Sequence, residues 1–215
     1  MVAVMDATKV GDEWYFVVRD PHKKENVYST VVQFESTSCY QFAMQDLQER
    51  GFNVTSVVGD GKIAVSWLFK GLPTQMCHFH MKQIIIRCIT RKPLLQAGIE
   101  LLEIMDTLTY STEAEFTLLY KNWCIKWEDF LKEKSINPKT GKLSATHRKL
   151  ITARGSIKRH LPFLFTFEKY PHLGIPNTTN SLDGSFKKIK SSIAIHSGLS
   201  RERKLKMIKT LLNGK

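Results

Sequence analysis

The apolar residues of this chain change their repeat once, and that change limits the folds open to it. Over the first sixty residues they come in short β-rich runs: Val2-Ala3-Val4-Met5, Trp14-Tyr15-Phe16-Val17-Val18, a third within 27–34, and Val54-Thr55-Ser56-Val57-Val58. One segment of helical spacing, 40–50, interrupts them and stops at Gly51. A β-β-β-α-β order belongs to a mixed sheet rather than to a pure βαβ array. A short helix over 62–69, a strand over 75–77 and a helix over 78–89 should follow. From 93 to about 160 the pattern becomes purely helical. Leu94, Leu95, Ile99, Leu102, Ile104, Met105 and Leu108 line one stripe, and Phe116, Leu119, Tyr120, Trp123, Trp127, Phe130 and Leu131 a second. A loop is expected at Asn137-Pro138-Lys139-Thr140-Gly141 and a basic helix over 149–160. The aromatic, proline-bounded stretch 161–176 has no readable period. Helices over 181–195 and 200–212 close the chain, the last with Ser200 as its N-cap. The fold class is therefore α/β, in three segments: 1–92, 93–170 and 171–215.

Charge divides the chain differently. Of 32 Lys and Arg, 17 fall in 139–215, against only 3 of the 20 acids, Glu168, Asp183 and Glu202. The formal charge of +12 is thus carried by the last third, as expected of a surface for a polyanion. Arg148, Lys149, Arg154, Lys158, Arg159, Lys187, Lys188 and Lys190 are the candidates for phosphate contacts; a merely solvated face is the plainer reading for some of them.

An acid surviving in that basic field needs a reason. Asp183 lies about one turn into a helix entered through Asn177-Thr178-Thr179-Asn180. Asp6 and Asp60 each stand at or near the end of an apolar run, where a side chain projects into the crevice above a sheet. Each acid alone reads as a cap or turn residue. Together, two strand-end carboxylates and a helical one beside a positive surface point to metal-dependent chemistry on nucleic acid, because hard divalent cations take oxygen ligands.

Other features are weaker. Cys39, Cys77, Cys88 and Cys124 show no Cys-x-x-Cys spacing, so a reducing, intracellular compartment is expected. No apolar run reaches the roughly 18 residues of a membrane span, and no signal-peptide layout opens the chain. Cys77-His78-Phe79-His80 invites a zinc reading but lacks a second ligand cluster, so a buried cysteine and a supporting histidine are preferred. Trp123 and Trp127, four apart in an apolar helix, read as core rather than as base-stacking residues.

With these residues in view, the chain resembles the acidic-triad (DDE/DDD) DNA transposases, in the bacterial insertion-sequence branch related to the Mutator-like superfamily. Val4-Met5-Asp6 with Trp14-Tyr15-Phe16, Val57-Val58-Gly59-Asp60-Gly61, Gln75 to His80 with its Cys-x-x-His, and Asn177 to Phe186 running on to His196-Ser197-Gly198-Leu199-Ser200 carry the resemblance. It implies a ribonuclease H-like core with an all-α insertion before the last catalytic helix. It also implies that Asp6, Asp60 and Asp183 bind two Mg²⁺ or Mn²⁺ ions, with Cys77 and His80 supporting the site without binding metal. The activity implied is DNA strand cleavage and strand transfer on transposon ends and target DNA, with a homodimer as an option and a cytoplasmic, nucleoid-associated location. Two departures stand out: most of the superfamily has Glu as the third acid, and Asp6 lies too near the start for an end-binding module to precede it. A truncated or inactive DNA-binding descendant is therefore the alternative expectation, and a nuclease or resolvase of the same fold a third.

Overall fold

A computed structural model of the chain describes residues 1–11, 13–64, 67–136, 141–196 and 198–212. Its centre is a five-stranded sheet of order β3-β2-β1-β4-β5, built from β1 (Val2–Val10), β2 (Glu13–Asp20), β3 (Glu25–Val32), β4 (Ser56–Gly59) and β5 (Thr74–Met76). β1, β2 and β3 pair antiparallel through tight connections, whereas β4 and β5 run parallel to β1 and need crossovers. This is the mixed α/β sheet expected of a ribonuclease H-like core.

Alternation along the strands sorts side chains onto two faces. Ala3, Met5, Phe16, Val18 and Val57 pack against Tyr40, Ala43 and Leu47 of α1 (Thr37–Glu49). On the opposite face Val2, Val4, Tyr15, Val17 and Val58 meet Leu182, Phe186 and Ile189 of α9 (Asn180–Ile195) and Ile208 and Leu212 of α10 (Arg201–Leu212). Ser200 Oγ accepts from the Arg203 N–H at 3.4 Å at the entry to α10, as its composition predicts. The helix expected over 62–69 is a single turn, α2 (Gly61–Ala64), and a 3-10 turn, Trp67–Phe69.

A third cluster holds the helical segment: α3 (His78–Ile89), α4 (Gln96–Thr107), α5 (Glu113–Lys126), α6 (Glu128–Lys132), α7 (Arg148–Leu164) and α8 (Thr166–Lys169). Thr112 and Glu115 start α5 with a reciprocal capping box. Trp123 is buried and donates its indole N–H to Ala97 O at 2.9 Å, and Trp127 donates to Glu100 Oε2 at 2.9 Å, so both serve the packing.

The helical segment departs from expectation in three places. Leu94 and Leu95 precede α4 and are exposed, because the helix begins only at Gln96. A two-stranded ribbon, β6 (Lys134–Ile136) and β7 (Leu143–Ala145), interrupts the helices. The loop expected at 137–141 lies outside the described residues except for Gly141, whose φ of +64° is a left-handed value that glycine favours. Finally, α7 runs on past His160 to Leu164 with Pro162 in its last turn, and α8 and a 3-10 turn at Pro171–Leu173 fill the stretch that had no readable period.

Candidate active site

Register brings the first two acids together. β1 and β4 pair from Val2↔Ser56 to Val4↔Val58; two further steps set Asp6 level with Asp60, just past the end of β4 at Gly59. Asp6 is not at a strand end as expected: β1 continues to Val10, paired on one side with β2. It is the parallel partner that stops, at Gly59.

Each carboxylate is locally oriented. Asp6 Oδ1 accepts the Ala7 N–H at 2.8 Å, and Asp60 Oδ1 accepts the Lys62 N–H at 2.8 Å. Burial lifts the Asp6 carboxyl to about 7; His80 and the Ala7 N–H pull against that rise, and Glu35 and Asp183 add to it. Asp183 stands exposed in the first turn of α9, with Thr179 Oγ1 donating to its Oδ2 at 3.5 Å. It faces the right neighbour, since Asp6 shares a strand face with Val2 and Val4, the face that α9 covers.

Cys77 and His80 lie between these acids. The Cys77 N–H donates to Gly59 O at 2.7 Å, and its sulfur accepts the Thr179 N–H at 3.4 Å and lies 3.4 Å from Thr179 Oγ1. Burial pushes the Cys77 thiol up, but hydrogen bonding with His80, the His80 charge and Thr179 outweigh it, and the net shift is downward. Burial likewise disfavours the charged His80, yet Cys77, Asp6 and Asp60 reverse the balance and carry its imidazole up to about 9. Among the described residues its buried Nδ1 has no hydrogen-bond partner. His78 belongs to the core instead: 1% exposed, its Nε2 donates to Leu164 O at 2.6 Å.

Three residues of the site escaped the sequence reading. Glu35, between β3 and α1, acts electrostatically on Asp6 and Asp60. Tyr40, in the first turn of α1 and 4% exposed, donates its hydroxyl to Glu35 Oε1. Lys62 Nζ stands 3.8 Å from Glu35 Oε2. An acid just past a β-rich run, as at Asp60, was the available signal for Glu35. Its relevance depends on a sheet order that only the tertiary fold defines.

The basic candidates separate. Lys187, Lys188 and Lys190 are exposed on α9, and Lys190 Nζ donates to Thr8 Oγ1 at 2.8 Å, two residues along β1 from Asp6. On α7, Arg148, Lys149, Lys158 and Arg159 are exposed; Arg154 is partly buried, its carbonyl accepting the Tyr120 hydroxyl at 2.8 Å. At 100° per residue the five fan around more than half of the helix instead of forming one stripe.

The carboxylates suit Mg²⁺ or Mn²⁺ in kind, being hard oxygen donors. Among the described residues no three His, Cys, Asp or Glu side chains are grouped as a metal site. That holds equally for the zinc reading of Cys77, His78 and His80. Among the described residues no helix is long and apolar enough to cross a membrane.

No protein-family model and no curated protein matches the chain. Among solved structures it is similar to the catalytic core domain of BIV integrase, with a TM-score of 0.31 and 12% identity, over 80% of this chain and 95% of that one. A Mutator-like family finds no support in these comparisons.

Proposed function

We propose that this chain is the catalytic part of a DNA transposase, performing divalent-metal-dependent strand cleavage and strand transfer with Asp6, Asp60 and Asp183 as its acids. The observation that supports the reading is the β1–β4 pairing, whose last pair, Val4↔Val58, lies two residues before both Asp6 and Asp60, on a sheet whose α9-covered face includes that of Val2 and Val4. The basic helices α7 and α9 supply the phosphate contacts, and double-stranded DNA is the partner. Mg²⁺ or Mn²⁺ is the cofactor of this reading. A cytoplasmic, nucleoid-associated location belongs to the same proposal.

The second reading is a DNA-binding descendant without catalysis, and the exposed bases of α7 and α9 favour it, since they serve DNA binding without any role for the acids. Nicking and strand transfer on supercoiled plasmid with Mn²⁺, comparing the wild type with Asp60→Asn, separates the two. Activity in the wild type alone supports the enzyme; DNA binding without activity in either supports the descendant.

A further inference from the structure

Lys62 is absent from the basic segment that composition singles out, yet it is the lysine built into the acid cluster. Its backbone is fixed. Gly61, one residue before it, is buried so tightly that an added Cβ would stand 3.0 Å from His160 Nε2 and 3.2 Å from both Ile84 Cδ1 and Met76 Cε. The start of α2 is therefore wedged among α3, α7 and β5, and the Lys62 N–H is committed to Asp60 Oδ1 at 2.8 Å.

The side chain is another matter. It is 63% exposed, and its ammonium meets Glu35 Oε2 only at 3.8 Å, beyond hydrogen-bond length. An ion pair of that length on an exposed lysine is weak. Glu35 by contrast is firmly held: its side chain is 17% exposed, and its other oxygen takes the hydroxyl of buried Tyr40. A fixed carboxylate that acts on Asp60 thus parks a loosely held ammonium.

A phosphodiester approaching Asp6 and Asp60 meets the carboxylates of Asp60, Glu35 and Asp183, and an exposed cation near them offsets their repulsion. We infer that Lys62 is a DNA-phosphate contact at the mouth of the acid cluster, parked on Glu35 in the free protein and exchanging that carboxylate for the phosphate when DNA enters. This rests on the DNA reading proposed above but not on catalysis. It gives Glu35 and Tyr40 the role of positioning residues that act through Lys62.

The test is the salt dependence of duplex binding by the full chain in EDTA, read by fluorescence anisotropy of a labelled duplex from about 50 to 200 mM KCl. Lys62→Gln should lower the magnitude of the slope of log affinity against log salt by about 0.9, the value of one phosphate contact. Glu35→Gln, which frees the ammonium and removes a repelling charge, should tighten binding, and by clearly less when Lys62 is already Gln. Thermal melts of all variants check that each is folded. An unchanged slope and affinity in Lys62→Gln, while Lys187→Gln weakens binding, overturns the inference and leaves the DNA reading standing. Absence of duplex binding by the wild type overturns both.

Discussion

The Thr179 hydroxyl stands 3.4 Å from the buried Cys77 sulfur, although 102 residues separate the two in the chain. Through its own N–H, Cys77 also holds Gly59, the residue before Asp60. Thr179 in turn reaches Asp183 with its hydroxyl. One small buried residue thereby ties the strand end bearing the second acid to the helix bearing the third. The Cys-x-x-His string acts here as a clip between segments, with His80 turned to the acids.

Thr179→Val keeps the shape of the side chain and deletes the hydroxyl. It should cost about 1 kcal/mol of unfolding free energy, the net worth of a typical hydrogen bond. It should also increase hydrogen exchange at the start of α9. Urea denaturation and exchange at the amides of residues 180–184 would check this; unchanged exchange would show that the clip does not hold the helix.

Asp6 carries a pH signature whose sign is fixed. Its folded carboxyl is lifted to about 7 from an ordinary 3.8, mainly by burial. Between those values the folded chain keeps a proton that the unfolded chain has lost, so stability falls as pH rises through that window. Asp6→Asn stays neutral throughout. In EDTA it should match the wild type near about pH 4 and exceed it at about pH 8, by at most about 4 kcal/mol at roughly 1.4 kcal/mol per unit. Urea midpoints at the two pH values measure the gain, and a variant no more stable than wild type at the higher pH would refute it.

Asp60→Asn preserves the side chain's size and its acceptor for the Lys62 N–H. The fold should persist, while Mn²⁺-dependent plasmid nicking falls by about two to three orders of magnitude, the scale of losing one charge-stabilising group from an active site. Circular dichroism and a nicking time course are enough. Equal nicking by the variant would remove Asp60 from the chemistry.

Gly61→Ala should destabilise by about 1–3 kcal/mol, since its Cβ would crowd His160, Ile84 and Met76. Its φ is not in the left-handed region, so the cost is one of space alone. Trimming a crowding neighbour, as in Ile84→Val, should recover part of the loss. Thermal melts of the single and double variants measure both effects.

The strands were legible because each buries two faces or one, and both patterns survive in Trp14–Val18 and Val57-Val58 without tertiary information. Asp60 was legible for the same reason, as an acid just past a buried run. Asp6 was half legible: its residue type drew notice, but the run of β1 on to Val10 did not, because Ala7, Thr8 and Lys9 lack an apolar pattern. The ribbon of β6 and β7 was hidden by its length, three residues a strand being too few to establish alternation. Glu35, Tyr40 and Lys62 were missed because their meaning is relational. Nothing local marks an acid and a tyrosine five residues apart as neighbours of Asp60.

The carbonyl of Leu164 accepts from both Gln75 Nε2, at 2.7 Å, and His78 Nε2, at 2.6 Å, and the adjoining Thr166 hydroxyl donates to Thr74 O at 2.6 Å. Gln75 is 0% exposed and His78 1%. Swinging the end of α7 off the sheet would strand a buried amide and a buried imidazole in the same movement, at about 1–3 kcal/mol for each unsatisfied group. The helical segment is therefore bolted to the sheet as a fixed arm rather than hung on it as a lid, and whatever seizes the bases of α7 pulls directly on the strand beside Asp60.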